Sequence, residues 1–104
     1  MFARSVSFHL KPGREAEFTQ LLDKDVIPVL RKQKGFQDEI TLCNPGSQDA
    51  VSISLWEHKS NADDYNARTY QEVLKILGIV IDGTPRVQTF ETVVSTFHNV
   101  HAAV

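Results

Sequence analysis

Apolar and polar residues alternate along three stretches of the chain, and each alternation predicts a β-strand. The first strand covers residues 2–10, the second 36–43 and the third 50–56. The stretch Asn44-Pro45-Gly46-Ser47 is a strong turn signal. Because it joins the second and third strands by a short connection, these two strands should form an antiparallel hairpin.

The stretch from about residue 12 to 34 has helical periodicity, with Phe18, Leu22, Val26 and Val29 on one apolar stripe. Gly35 is expected to end this helix. Pro28 lies inside the pattern and removes a backbone donor, so a kink or break is expected there.

A second helix should start at the capping-box sequence Ser60-Asn61-Ala62-Asp63 and stop near Gly78. The turn Asp82-Gly83-Thr84-Pro85 follows it. The last strand is then expected from about Arg86 to Phe97, because that stretch is rich in β-branched and aromatic residues.

This order of elements predicts an α+β domain of the ferredoxin-like βαββαβ class, with a four-stranded antiparallel sheet and two helices on one face. The 104 residues suffice for one domain with one core, which we expect to span residues 1–104.

One face of the sheet should carry the strongly apolar rows and pack against the helices. These rows are Phe2/Val6/Phe8, Phe36/Ile40/Leu42 and Val51/Ile53/Leu55. The opposite face would then carry small, mildly polar residues, namely Ser5, Ser7, His9, Thr41, Cys43, Ser52, Ser54 and Trp56. A face left in water usually collects charged side chains. We therefore expect a second copy of the sheet to cover this face, which makes the protein a homodimer.

Composition excludes several classes of partner. The formal net charge is −2, from 11 basic and 13 acidic side chains, and the basic residues are dispersed. This balance gives no reason to expect nucleic acid or an anionic membrane. The single cysteine, Cys43, cannot form an intramolecular disulfide, and the N-terminal stretch alternates like a strand. A cytoplasmic location is expected.

Several short motifs resemble the antibiotic biosynthesis monooxygenase family, and together they cover nearly the whole chain. They are Lys11-Pro12-Gly13, Gly35-Phe36, Ser52-Ile53-Ser54-Leu55-Trp56-Glu57, the spacing Ala62-x-x-Tyr65-x-x-x-x-Tyr70-x-x-Val73-Leu74, and Pro85 before a strand ending Val94-Ser95-Thr96. The resemblance implies a dimeric α+β barrel in which two sheets face each other. It places a ligand pocket inside each subunit, between sheet and helices.

The resemblance also implies a choice of activities. Some members are cofactor-independent monooxygenases that oxidise quinols or polycyclic aromatic compounds with dioxygen, and relatives degrade haem. The haem-degrading branch uses an Asn on the first strand and a Trp and a His on the second helix; this chain has Val6 and no such pair. Many quinol-oxidising relatives carry a His early in the second helix, where this chain has Tyr65 and Asn66.

Five residues are candidates for a pocket. Helical phase turns Asn66 and Tyr70 inward, where they would orient a phenol or quinone oxygen or else hydrogen-bond a neighbouring loop. Arg4 interrupts an apolar row and would either stabilise a phenolate, enolate or carboxylate or extend its head to water. Tyr65 could donate to a ligand or lie at the rim. Trp56 would shape the pocket or anchor a core or interface.

The hypothesis that follows is a cofactor-free monooxygenase acting on a small aromatic or quinol. The alternatives are a non-catalytic dimeric protein that binds a small apolar ligand, and a structural protein whose interior is filled by side chains. His98 and His101 have a spacing that suits metal ligands on a helix, but they fall in a stretch that is not predicted to be helical. No metal and no cofactor is expected.

Overall fold

A computed structural model of the protein describes residues 1–97 and the backbone of residues 100 and 101. The strands are β1 (Phe2–Leu10), β2 (Phe36–Cys43), β3 (Asp49–Trp56), β4 (Ile81–Glu91), β5 (Val94–Ser95) and β6 (Val100–His101). The helices are α1 (Glu15–Leu21), α2 (Ile27–Arg31), α3 (Lys59–Arg68) and α4 (Tyr70–Leu77), and a π-helical turn (Leu22–Val26) joins α1 to α2. The predicted α+β class and strand-helix order are confirmed.

The four long strands form one antiparallel sheet in the order β2-β3-β1-β4. The core lies between this sheet and the helices, and its most deeply buried side chains include Phe18, Leu77, Val80 and Trp56. The strands β5 and β6 pair separately with each other. No helix in the described part of the chain is long and apolar enough to cross a membrane.

The kink expected at Pro28 takes the form of the π-helical turn that precedes it. The amide of Ile27 donates to the carbonyl of Leu22, five residues back rather than four. Pro28 then occupies the first turn of α2, where a missing backbone donor costs nothing. The wider turn thus gives the proline ring room without ending the helix.

The second helical region begins one residue earlier than predicted and is broken in the middle. The N-cap is His58, whose amide donates to Asn61 Oδ1 over 3.1 Å. The break falls at Thr69, whose φ of −123° and ψ of −30° lie outside helical geometry. This break rotates the residues on its two sides relative to each other, so a single helical phase does not describe residues 60–78.

The turn predicted over residues 82–85 is wrong, because these residues belong to β4. Strand β4 starts at Ile81, and its register against β1 shifts between Ser7, opposite Arg86, and His9, opposite Asp82. The extra residues form a bulge in which Gly83 has a φ of +77°. The Gly and Pro that suggested a turn therefore mark an irregularity inside a strand. The strand also ends at Glu91, six residues before the predicted end.

Phe36 faces the helices as predicted, but the predicted faces of β3 and of β2 after its bulge are wrong. Ser54 lies opposite Arg4 and Ser52 opposite Val6, so Ser52, Ser54 and Trp56 face the helices. The register of β2 shifts between Phe36 and Asp38, and this bulge turns Glu39, Thr41 and Cys43 to the helix side. The assignment for β1 holds, because Val6 and Phe8 are buried under the helices while Ser7 and His9 are exposed.

The face of the sheet away from the helices is consequently much more apolar than expected. Its members include Ile40, Leu42, Val51, Ile53, Leu55 and Phe90, with Ala3, Ser5 and Ser7 in the middle. Ile40, Leu42 and Phe90 are 46%, 48% and 53% exposed. We call this surface the outer face.

Candidate functional site

A buried guanidinium lies at the centre of the space between sheet and helices. Arg4 extends from β1 toward the helices and is only 3% exposed. Its Nη2 donates to Asn66 Oδ1 on α3 over 2.8 Å. Within the described residues, no carboxylate lies within ion-pair distance of Arg4 and no acceptor reaches its Nε. A buried charge with so few partners is costly, so its presence needs a reason.

Two tyrosine rings provide most of the surroundings of Arg4. Its guanidinium carbon lies 4.0 Å from the ring centre of Tyr70 on α4 and 5.2 Å from that of Tyr65 on α3. Ring faces attract a cation without neutralising it. The positive charge therefore stays available to an anionic group in the same space.

Both tyrosines remain protonated at neutral pH. Burial raises the pKa of Tyr65 to about 12, although the nearby Arg4 charge opposes the shift. Burial also raises the pKa of Tyr70, again against the influence of Arg4. The Oη of Tyr70 is buried and has no hydrogen-bond partner of ordinary geometry among the described residues. Within the described residues, this hydroxyl therefore has capacity to donate to or accept from a ligand beside the Arg4 guanidinium.

Arg4, Tyr65 and Tyr70 line a cavity of about 30 Å³. The remaining walls are mainly apolar, and its other lining residues are Val6, Phe8, Leu22, Val26, Leu30, Glu39, Ser52, Ser54, Val73 and Leu77. A cavity of this size accommodates about one water molecule, whereas one of roughly 150 Å³ takes benzene. The space is closed to an aromatic ligand in this conformation, and side chains must move before a ligand enters.

Trp56 supports the site from behind and does not line the cavity. Its side chain is fully buried, and its ring centre lies 5.2 Å from Tyr65 and 5.6 Å from Phe36. Its Nε1 donates to Ser54 Oγ over 2.9 Å. Trp56 therefore fixes the position of Tyr65 and orients the hydroxyl of Ser54, which is part of the cavity wall.

Asn66 is exposed on α3 and does not line the cavity. Its amide oxygen nevertheless reaches the buried Arg4 and accepts a hydrogen bond from it. Arg4 contacts Asn66, Tyr65 and Tyr70, and Trp56 packs on Tyr65, so all five predicted residues are connected. Three of the five line the cavity itself.

Glu39 is a cavity residue that sequence reasoning missed. Strict alternation places it on the outer face, and only the bulge between Phe36 and Asp38 brings it inside. Thr41 Oγ1 donates to Glu39 Oε1, and Thr41 lies 2.7 Å from Ser52 Oγ. Burial raises the pKa of Glu39, while its hydrogen bonds with Thr41 and Ser52 oppose the shift.

The described residues contain no cluster of three or more His, Cys, Asp or Glu side chains that could hold a metal ion. His98 lies outside the described residues, and only the backbone of His101 is described. That this pair binds no metal therefore stays a prediction. Burial, reinforced by the charge of Glu15, raises the pKa of Cys43. Cys43 is therefore a poor nucleophile at neutral pH.

Comparison with known structures identifies the class of fold. A candidate antibiotic biosynthesis monooxygenase of Bordetella bronchiseptica superimposes with a TM-score of 0.76 at 22% identity, covering 88% of this chain and 96% of that one. A monooxygenase from the ActVA-Orf6 gene of Streptomyces coelicolor, in complex with nanaomycin D, superimposes with a TM-score of 0.74 at 18% identity, covering 88% of this chain and 86% of that one.

SnoaB, a cofactor-independent oxygenase from Streptomyces nogalater, gives a TM-score of 0.73 at 17% identity, covering 88% of this chain and 91% of that one. No protein-family model and no curated protein matches the sequence. The resemblance to the antibiotic biosynthesis monooxygenases is confirmed at the level of the fold.

Proposed function

We propose that this protein is a cofactor-independent monooxygenase that oxidises a small phenol or quinol with dioxygen. The observation that carries the proposal is Arg4, a buried guanidinium without a carboxylate partner in the described chain, lining an apolar cavity beside two protonated tyrosines. Oxidation of a phenol by dioxygen without a cofactor requires the substrate to become electron-rich. Ionisation of the phenol hydroxyl makes the ring electron-rich, and a buried cation stabilises the resulting phenolate.

The remaining groups of the site would orient the substrate. The hydroxyl of Tyr70 is buried next to Arg4 without a hydrogen bond of ordinary geometry to the described residues, and both groups would bind the substrate oxygen. Tyr65 and the aliphatic wall would hold the ring and keep water away, which strengthens the interaction of Arg4 with the phenolate. The neighbours in fold support the reaction type, since one is a cofactor-independent oxygenase and another a monooxygenase in complex with nanaomycin D.

Oxygen consumption tests this function directly. A panel of naphthols and hydroquinones is incubated with the protein, and dioxygen uptake is recorded against a protein-free control. We expect uptake with at least one phenol, and a fall in kcat/KM of about 10²-fold in Arg4→Met, the size of effect seen when one electrostatic contact to a developing anion is lost. Uptake that is equal in both proteins would contradict the role of Arg4.

Thermal unfolding shows whether Arg4→Met loses activity because the site is changed or because the protein no longer folds. Because Arg4 is a buried charge with no ion-pair partner among the described residues, Arg4→Met should unfold at the same temperature as the wild type or at a higher one. A large drop in the unfolding temperature would instead mean that Arg4 holds the structure together.

The second candidate is a non-catalytic structural protein, and the closed cavity is the observation that favours it, because at about 30 Å³ the space is filled almost completely by the protein's own side chains. Neither naphthol binding nor oxygen uptake across the panel would identify this case.

We further propose that the protein is a homodimer whose two sheets face each other through the outer face. A row of exposed and half-buried apolar residues supports this, on a sheet face that no described helix covers, among them Ile40, Leu42 and Ile53. A concavity of about 510 Å³ lies on the same side and is bounded by Ile40, Ile53, Leu55 and Phe97, which gives a partner an apolar surface to fill.

A further inference from the structure

Three polar residues form a row across the helix-facing side of the sheet. Arg4 on β1 lies opposite Ser54 on β3, and Ser54 lies opposite Glu39 on β2. Adjacent strands are about 4.8 Å apart, so the Cα atoms of Arg4 and Glu39 are separated by about 10 Å. Both side chains line the same cavity. A ligand hydroxyl placed between them has a cation on one side and a carboxylate on the other.

The carboxylate of Glu39 is held in place and has capacity to accept a proton. Thr41 donates to one of its oxygens, and Thr41 is itself hydrogen-bonded to Ser52. A carboxylate has about four acceptor positions, so this arrangement fixes the group and leaves positions free. Partial burial makes the carboxylate more basic than one in water.

Glu39 also stands at the boundary between the cavity and an open groove. The groove has a volume of about 360 Å³ and runs between α1, the π-helical turn and β2. Leu22 and Glu39 line both the groove and the cavity, one from the helix and one from the sheet. A ring that enters through the groove therefore meets Glu39 before it reaches Arg4.

We propose that Glu39 is the proton acceptor of this site and that the substrate enters between the π-helical turn and β2. This inference rests on the proposed oxidation of a phenol. Arg4 lowers the pKa of the substrate hydroxyl, and the environment of Glu39 makes its carboxylate a better base, so transfer of the proton between them becomes feasible.

In the proposed reaction Glu39 first accepts a proton and later returns it, so it is unchanged after one turnover. The O–H bond breaks, its proton goes to Glu39, and the electron pair stays on the substrate oxygen. The phenolate reduces dioxygen, a C–O bond forms at a ring carbon that bears hydrogen, and the peroxide formed takes the proton back from Glu39. Loss of the ring hydrogen with cleavage of the O–O bond releases one water and leaves a quinone. A naphthol and one dioxygen thus give one naphthoquinone and one water.

Several charged or titratable groups face Glu39 from the elements around it. They are Arg4 on β1, Cys43 on β2, Asp23 and Lys24 on the π-helical turn, Tyr65 on α3 and Tyr70 on α4. Asp23 and Lys24 carry opposite charges and lie on the groove side. The cavity side contains the buried cation Arg4 and two tyrosines whose pKa values are raised.

The first test needs no variant. Wild-type protein is titrated with 1-naphthol in the absence of oxygen, in weak buffer near neutral pH, while the naphtholate absorption and the proton release are recorded together. We expect bound naphtholate with no net release of protons, because Glu39 keeps the proton. Release of one proton for each bound naphtholate would overturn the role of Glu39 and leave ionisation by Arg4 alone.

The second test compares Glu39→Gln with Glu39→Asp and the exposed control Glu57→Gln. Glu39→Gln should bind 1-naphthol in its neutral form, with affinity within about threefold, and should lose about 10²–10⁴-fold in kcat. In the wild type, kcat/KM should fall as the pH drops through the pKa of Glu39, which is raised above 4.5. That acid limb should persist in Glu39→Asp and Glu57→Gln and vanish in Glu39→Gln.

The outcomes distinguish this inference from the proposed function. Oxygen uptake that is unchanged in Glu39→Gln contradicts the role of Glu39 and leaves the monooxygenase standing. Ionisation of the bound naphthol with no net proton release and no uptake in the wild type contradicts the monooxygenase and supports Glu39 as the proton acceptor. If the wild type neither binds nor ionises any phenol, both are wrong.

Discussion

At the scale of single residues, the site depends on a charge that the fold tolerates at a cost. Arg4 is buried between two aromatic rings and one amide, and its Nε has no partner among the described residues. Residues that work in this way are usually retained for what they do to a ligand, since an apolar side chain in the same place would be more stable.

The two buried tyrosines predict a loss of stability at alkaline pH. The unfolded chain releases the Tyr65 proton near pH 10, but the folded protein keeps it until about 12. Because the folded state holds the proton more tightly, the free energy of unfolding should fall as pH rises from 10 to 12. Urea unfolding of wild type and Tyr65→Phe at pH 9 and pH 11 measures this, and the decline should be smaller in the variant. Equal declines would mean that Tyr65 ionises as easily in the fold as in water.

Site residues could be predicted from the sequence where a polar side chain interrupts a row of apolar ones. Arg4 and Tyr70 were recognisable because they interrupt apolar rows that must face a core. Glu39 was not, because a bulge in β2 changes which face it occupies, and a bulge has no signal in hydrophobic alternation. Helical phase placed Asn66 beside Ala62 and Tyr65; the residue is exposed at the edge of that face, and its amide oxygen still reaches Arg4.

At the scale of elements, the contact between the end of the first helical region and the start of α3 depends on one glycine. Gly35 has a φ of +80°, and a Cβ added there would lie 2.1 Å from Asn61 Oδ1, the atom that caps the His58 amide. The carbonyl of Gly35 also accepts from the Glu57 amide over 2.7 Å. A side chain at this position would disturb backbone conformation and helix cap together.

We therefore expect Gly35→Ala to lower the free energy of unfolding by about 2–4 kcal/mol, from left-handed backbone strain plus the lost cap. The matched control is Gly13→Ala, with a φ of +73° and nothing within 4 Å of the added Cβ. It should cost only about 1–2 kcal/mol. Denaturant unfolding measures both, and equal losses would show that the contact with Asn61 is unimportant.

Element boundaries were easiest to predict where turn chemistry and periodicity agreed. The predicted bounds of β1 and β2 match the structure, and β3 differs by one residue. The start of β4 was missed because Gly83 and Pro85 are typical of turns and also of strand bulges. The faces of β3 were reversed because its small residues pack under the helices beside Arg4 and Trp56, while its large ones lie on the outer face. Periodicity identifies two faces but not which one is inside.

At the scale of the whole molecule, the outer face predicts an assembly of two chains. Light scattering at micromolar concentration should give about twice the monomer mass of 11.7 kDa. Leu42→Lys, at a residue that is 48% exposed on the outer face, should shift the mass toward the monomer, because a charge cannot be buried there without a partner. The control Ile79→Lys changes a residue that is 54% exposed and lies between α4 and β4, away from the outer face. A monomeric wild type would disprove the assembly.

Because the cavity is closed, the strength of ligand binding depends on the fraction of molecules in which it is open before the ligand arrives. If only a small fraction of molecules has Leu22 displaced from the boundary between groove and cavity, the apparent affinity for a ligand is reduced by that fraction. Leu22→Ala should then lower stability by about 1–3 kcal/mol and yet bind 1-naphthol more tightly than the wild type, because a larger share of molecules is open before the ligand arrives. Titration calorimetry of the two proteins decides this, and weaker binding by the variant would show that Leu22 is part of the ligand's contact surface. In such a molecule the side chain that completes the core also sets how much of the population is ready to bind.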